Sequence, residues 1–395
     1  MFVDSPASFC SIAANVRSLP SLVDLTRAAK IVVDDHRAAP CAVVAAAWRK
    51  NDDFLYGTGA FGKLFDDPYA PEATSETPFD LASVTKPITA LTLARLVRRG
   101  LLSRNESIRD VLPALAATSS ARIPLDLLAA HRGGLDAHGG LYTPLVQGAD
   151  SIDRDEALLL AAEMRHAPCP DELPRDGFVP VYSDLGYLLL GAALEARSGL
   201  PLDGLMAREV LDPWNLGIGS ARLFRRRDPT FDERVAPTEY VPFRGGLVRG
   251  AVHDENAWAF SKDAAAGHAG LFGTALDVAR LGVAVLDALA SRCPAWLGPE
   301  DLEPLVRVRP GGSLLAGFDA RSGDAPSSGS RLGSRTFGHL GFTGTSIWID
   351  PDAEFVGVLL SNRVFPTRTS LAIRQARPVA YDVMFDIMTS SGDRS

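Results

Sequence analysis

Ser83-Val84-Thr85-Lys86 sets a hydroxyl and an amine at i, i+3, between the extended lead-in Phe79-Asp80-Leu81-Ala82 and the apolar run Ile88, Leu91, Leu93, Leu96 and Val97, which stops at Gly100. The spacing predicts a buried helix whose first turn carries Ser83 and Lys86 on one face. Pro87 falls in that turn, where a missing N–H costs little. Free N–H groups and the helix dipole at such an end favour an alkoxide-like oxygen and a neutral amine.

The lysine itself stands out in this chain, which holds five lysines (Lys30, Lys50, Lys63, Lys86, Lys262) against thirty-five arginines. Arginine would serve wherever positive charge alone is needed. Lys86 is therefore expected to do what a guanidinium cannot, which is to lose its proton near neutral pH when partly buried. An unprotonated amine one turn from a serine can activate it as a nucleophile. Taken alone, the four residues are more simply a serine N-cap followed by a solvated first-turn lysine.

With 395 residues, 46% of them hydrophobic and 22% charged, the chain can bury a sizeable core. Its net charge of −8, with no basic block longer than Arg225-Arg226-Arg227, argues against nucleic acid and acidic membrane surfaces as partners. No apolar stretch is long enough to span a bilayer, and the N-terminus lacks the basic start of a signal peptide. A cytoplasmic protein is expected, unless a misassigned start codon hides an export signal. Cys10, Cys41, Cys169 and Cys293 show no Cys-x-x-Cys spacing, so reduced structural thiols are expected. His253-Asp254, and His131 with His138, are the sole candidates for metal ligation, and buried hydrogen-bonding histidine is the simpler reading of each. Neither a metal nor another cofactor is expected.

Strand-like runs at 42–49 and 54–59 follow an N-terminal helix over about 21–35. Helical patterns then occupy 124–130, 152–165, 185–196 (ended by Gly199) and 202–210. Residues 223–266 are irregular and rich in Gly, Pro and Arg, a candidate substrate-facing region. A helix starts at Thr274 with Asp277 in the capping position. Strand-like segments return at 314–318, 336–340, 346–349 and 355–360 before a last helix over about 369–388. This order predicts an α+β fold, one antiparallel sheet assembled from distant parts of the chain and flanked by helices, with an all-helical insertion. The expected organisation is a single catalytic domain over 1–395, its sheet region at about 20–80 and 307–392 and its helical region at about 84–306.

Two further motifs carry chemistry. Tyr182-Ser183-Asp184-Leu185-Gly186-Tyr187 lies at the start of an apolar helix, where an Asp N-cap with aromatic packing is the plain reading. Gly338-His339-Leu340-Gly341-Phe342-Thr343-Gly344-Thr345 puts glycines inside a strand pattern, which marks close approach by a ligand or another backbone.

In this order the three motifs resemble the penicillin-recognising serine enzymes: class C-type serine β-lactamases, D-alanyl-D-alanine peptidases (penicillin-binding proteins) and related esterases. The resemblance runs from about Ala42 to Asn362. Supporting segments are 125–135 (Leu-Asp-Leu-Leu-Ala-Ala-His-Arg-Gly-Gly-Leu), 267–272 (Gly-His-Ala-Gly-Leu-Phe) and Leu360-Ser361-Asn362-Arg363. It implies that Ser83 is the acylated nucleophile, that Lys86 accepts or tunes its proton, and that Tyr182 shuttles the proton to the leaving group. Either Lys86 or Tyr182 is then the general base. It further implies an oxyanion hole from the backbone N–H groups of Ser83 and Phe342, with Asp184, His339, Gly341 and Thr343 meeting the substrate.

Two departures from that family's pattern bear on specificity. Asp184 stands where many relatives have asparagine, cannot donate an amide hydrogen bond, and would raise the pKa of Lys86 on contact. His339 replaces a permanent cation, so recognition of a substrate carboxylate is expected to be weaker and to return below pH 6. The expectation is an acyl-serine hydrolase of small, preferably neutral esters or amides. The alternative within enzymes is a β-lactamase or D-alanyl-D-alanine carboxypeptidase acting on a lactam or peptide. The alternative of another class is a binding or sensor module that is acylated without turnover. Gly-x-Ser-x-Gly is absent, which leaves an α/β-hydrolase reading without a nucleophile.

Overall fold

The computed structural model describes residues 22–392. Alternation decides the central sheet. In the strand Cys41–Lys50, Cys41, Val43, Ala45 and Ala47 point to one face, while Ala42, Val44 and Ala46 point to the other. Small side chains on both faces let helices pack on either side. Seven strands run in the spatial order Val23–Asp24, Asp53–Gly62, Cys41–Lys50, Phe355–Ser361, Ser346–Asp350, Phe337–Leu340 and Asp319–Ala320. All neighbours are antiparallel except the short Val23–Asp24 edge.

On one face the N-terminal helix and the last helix, Ile373–Gly392, close a core of Leu25, Trp348, Phe355, Tyr381 and Met384. On the other lies the helix Ala275–Leu289, whose N-cap Thr274 accepts from the Asp277 N–H as its sequence predicts. The larger helical body continues from that face. Within it the helix Thr85–Arg98 is buried from Thr85 to Leu96. Burial of apolar side chains on every side, at about 1.5–3 kcal/mol for each large one, fixes the turn that carries Ser83.

Several boundaries differ from expectation. The N-terminal helix starts at Thr26 and ends in a wider turn over Ile31–Asp35, while Val23–Asp24 pairs with the sheet; position 21 lies outside the described residues. The middle region is not all-helical. Phe79–Asp80, Leu271–Gly273 and Gly219–Ser220 form a small sheet, and Tyr240–Val241 with Gly246–Leu247 a hairpin. Strands of two or three residues are too short to show a period of two. The run 314–318 is a turn in which the Leu315 N–H donates to the Phe318 carbonyl, and the edge strand follows at Asp319–Ala320. Among the described residues no helix is long and apolar enough to cross a membrane.

Candidate active site

Ser83 sits just after a strained bend, because Ala82 has φ +47°, a region that costs a residue with a Cβ of order 1 kcal/mol or more. The buried Asp80 braces it: one carboxylate oxygen accepts from the Ala82 N–H (2.8 Å) and the other from the His253 N–H (2.6 Å). The Asp80 carbonyl accepts from the Thr343 hydroxyl (2.8 Å). The bend is thus tied both to the loop before the helix Glu255–Ser261 and to the strand side of the site.

Lys86 is fully buried and its Nζ faces three side-chain oxygens: Ser83 Oγ at 2.9 Å, Tyr182 Oη at 2.7 Å and Asp184 Oδ1 at 2.7 Å. An ammonium has three donors, and these three oxygens are its shortest contacts, with the His268 carbonyl a longer fourth at 3.4 Å. Burial alone would lower the lysine pKa. The Asp184 carboxylate and the Tyr182 hydroxyl outweigh it, and the pKa stands above the usual lysine range. Lys86 in the resting protein is therefore an ammonium, which corrects the expectation of a neutral amine. The physical reason is the Asp184 contact, whose effect was foreseen only on condition that the two residues touch. Burial would raise the Asp184 pKa, but Lys86 and His138 hold its carboxyl well below the usual range.

The Tyr182 ring is stacked on His131 at 4.6 Å between centroids, and the phenol is kept protonated mainly by burial. His131 is fixed in turn, because its Nδ1 accepts from the Ser183 N–H (3.0 Å). The N-cap of the helix Asp184–Ser198 is Ser183, whose hydroxyl accepts from the Gly186 N–H. Asp184 is the first helical residue, and its carboxylate turns to Lys86 instead of capping. Gly199, at φ +68°, ends the helix in the left-handed conformation that glycine adopts without penalty.

A cavity of about 510 Å³ opens over this cluster, and its wall includes Ser83, Tyr182, Asp184, His339, Gly341 and Phe342. The Phe342 N–H has no acceptor among the described residues, as an oxyanion donor requires. Gly341 is obligatory for packing, since a Cβ there would lie 1.9 Å from Thr345 Oγ1 and 2.7 Å from the Leu81 carbonyl. The close approach that the glycines signalled is made by the protein itself. Thr343, expected to meet substrate, is buried with its hydroxyl on Asp80, and it is not among the cavity-lining residues.

His339 is buried, with Nδ1 2.8 Å from the Leu340 carbonyl oxygen. Burial first, then the Lys86 charge, push its pKa down to about 3. It stays neutral throughout the neutral and mildly acidic range. The expectation that it would become a cation below pH 6 is thus corrected: desolvation, not the usual imidazole value, governs it.

Other groups at the cavity were not assigned to the site by their sequence, and His138 was weighed there only as a metal ligand. His138 lies 3.8 Å from Asp184, and Asp319 has a carboxyl that burial pushes up to about 6. Arg363, Arg374 and Arg377 also line the wall. Arg363 and His131 stand inside segments already singled out by resemblance, whereas Arg374 and Arg377 lie on one turn of the last helix without a motif around them. His253 pairs with Glu239 at 3.0 Å, and among the described residues no group of His, Cys, Asp and Glu could hold a metal ion.

The family model described as Beta-lactamase matches residues 34–380. An N-acetylmuramyl-L-alanine amidase of Bacillus subtilis (strain 168) is 29% identical over 314 residues, covering 73% of this chain and 68% of its own. A putative D-alanyl-D-alanine carboxypeptidase of Escherichia coli (strain K12) is 28% identical over 315 residues, covering 74% and 70%. Among solved structures, EstCE1, a hydrolase with promiscuous acyltransferase activity, superposes with a TM-score of 0.65 at 20% identity, covering 90% of this chain and 97% of its own. A match that takes in the sheet, the helical body and all three motifs shows that the chain belongs to the β-lactamase family and is a serine hydrolase of that family.

Proposed function

We propose that the protein hydrolyses small esters or amides through an acyl-enzyme on Ser83. The observation that carries this reading is the single buried ammonium of Lys86, shared by Ser83, Tyr182 and Asp184 at 2.7–2.9 Å beneath an open cavity. The substrate carbonyl lies against the Phe342 and Ser83 N–H groups, and Ser83 Oγ attacks its carbon. The Ser83 proton passes to Lys86 while Lys86 hands one of its own to Asp184, so the lysine keeps its charge. When the tetrahedral intermediate collapses, the leaving group takes the Tyr182 proton. Tyr182 is refilled from Lys86, and Lys86 from Asp184. Water then reverses the sequence, and Ser83 leaves with its proton restored.

In this scheme Asp184 is the final proton acceptor, and its depressed pKa keeps it ready in mild acid. Asp184→Asn removes the acceptor and leaves Lys86 to burial, which lowers its pKa. Activity then requires a neutral Lys86 and declines as pH falls through that pKa. The acid limb of kcat/KM is expected at higher pH in Asp184→Asn than in the wild type. Superimposable profiles would remove Asp184 from the proton path.

Substrate class is tested with short-chain p-nitrophenyl esters beside nitrocefin and a D-alanyl-D-alanine peptide. A neutral His339 supplies no charge-assisted hydrogen bond, worth about 1.5–3 kcal/mol, at the place where relatives put a cation. Ester turnover above nitrocefin turnover is expected, with relative nitrocefin turnover rising about tenfold or more in His339→Lys. His339→Gln should keep the wild-type pH dependence of the ester-to-nitrocefin ratio between pH 5 and 8, because His339 does not titrate there. Efficient nitrocefin turnover with esters ignored would reverse the assignment. A second reading, a cell-wall peptide amidase or carboxypeptidase, is favoured by the names of the two curated relatives, and peptide turnover above ester turnover would select it.

A further inference from the structure

Asp184, Asp254, Glu255 and Asp319 line the active-site cavity, and the first three have partners. Asp184 faces Lys86 at 2.7 Å, and Glu255 holds Arg368 at 2.5 Å. Asp254 faces His268 at 2.8 Å and accepts from the Ala257 N–H at 2.7 Å. Asp319 differs. Its Oδ1 is buried without a hydrogen-bond partner, and among the described residues its carboxylate joins no ion pair.

The backbone fixes where that carboxylate stands. Asp319 opens the edge strand Asp319–Ala320 and pairs with Gly338, next to His339. The turn before it is pressed against the helix Thr85–Arg98. Gly317, at φ +88°, donates to the Ala129 carbonyl, and a Cβ on it would lie 2.3 Å from the Ala90 Cβ. Phe318 packs edge-on against Phe337 at 5.2 Å between centroids.

Burial pushes the Asp319 pKa up to about 6, and Lys86 is the one charge that opposes the rise, so the arginines of the last helix do not serve it. At neutral pH the group is a carboxylate out of water without a counterion, which is unfavourable until a cation enters from the cavity. A carboxylate only accepts, so its ligand must donate. An ammonium brings N–H donors and the opposite charge together. A neutral amide would leave the charge unmatched, and an anion is repelled.

We infer that Asp319 forms an ammonium-binding subsite in the cavity of Ser83, so that the substrate of the Ser83 reaction is an ester or amide that carries a free amine. The inference deepens the acyl-serine reading and rests on it for the reaction, but not for the binding. It agrees with the specificity expected at His339. A neutral imidazole and an unpaired carboxylate on adjacent strands disfavour a substrate whose only charge is negative.

The test compares p-nitrophenyl 6-aminohexanoate with p-nitrophenyl hexanoate and mono-p-nitrophenyl adipate, chains of similar length that end in a cation, a methyl group and an anion. At pH 7.5 kcat/KM of the wild type should favour the amine over hexanoate by at least about tenfold, the scale of a charge-assisted contact, and salt should shrink the margin. In Asp319→Asn and in Asp319→Ala the ratio should fall to within about twofold of one. An aspartate with only a structural role would slow all three esters alike and leave the ratio unchanged.

The wild-type ratio should also fall between pH 7.5 and 5, as Asp319 takes up its proton. Lys86 of the helix Thr85–Arg98, Tyr187 of the helix Asp184–Ser198 and His339 of the paired strand do not titrate there, the first two standing above the interval and His339 below it. His138 on the same cavity has a pKa raised by Asp184 and titrates near neutral pH. The part of the fall that Asp319→Asn abolishes is therefore the part due to Asp319, and an equal fall in that variant would overturn the subsite. So would a ratio unchanged within twofold in both variants, or a preference for adipate. If no ester is turned over, the acyl-serine reading fails on its own. A melting temperature raised by n-butylammonium chloride beyond the effect of equal sodium chloride, in the wild type and not in Asp319→Asn, then still supports the subsite. An equal rise in both, or none in either, overturns it.

Discussion

Ser83→Ala and Lys86→Arg are each expected to lower ester hydrolysis by at least about a thousandfold, the scale on which members of one catalytic unit fail when removed singly. Alanine deletes the attacking oxygen while leaving the Ala82 bend and its Asp80 brace in place. Arginine keeps the positive charge opposite Asp184 but cannot give up and regain a proton as the relay requires. Its planar fork also cannot reproduce three donors aimed at Ser83, Tyr182 and Asp184 from one nitrogen. The measurement is kcat/KM on a p-nitrophenyl ester, with circular dichroism to verify folding. Turnover near wild type in either folded variant would contradict the roles given to the pair.

Tyr182→Phe should cost about 10²- to 10⁴-fold, the usual range for a general acid–base group. Here the substitution isolates the hydroxyl. The ring stays stacked on His131 and within 4.5 Å of the Lys86 Nζ, so packing is retained while the route to the leaving group is cut. The loss should fall on kcat, with KM little changed, because the hydroxyl acts on the proton and not on substrate affinity. A rate within a few-fold of wild type would reduce Tyr182 to a packing residue.

What the sequence showed depended on how local the determining physics is. The strands Cys41–Lys50 and Asp53–Gly62 were legible because each shows as a strand-like run in its own local sequence and the two pair as neighbours along the chain. Helix ends at Gly100 and Gly199 were legible for the same reason. The two- and three-residue strands around Leu271–Gly273 were not, since their pairing is imposed by tertiary contacts. In the site, Ser83, Lys86 and Tyr182 could be named from short motifs. The protonation state of Lys86 could not, because it turns on a contact to Asp184, ninety-eight residues away. Likewise the low pKa of His339 follows from burial that no local pattern encodes. Arg374 and Arg377 carry no motif, and only the fold brings them to the cavity with Ser83.

The most direct test of the acyl-serine account is intact-mass and peptide-mapping measurement of the protein quenched during turnover of an ester, with a phosphonate analogue as a trap. A mass increase of one acyl or phosphonyl group per chain is expected, mapped to the peptide that contains Ser83 and absent from Ser83→Ala. Hydrolysis with the adduct on another residue, or phosphonate labelling that persists in Ser83→Ala, would contradict it.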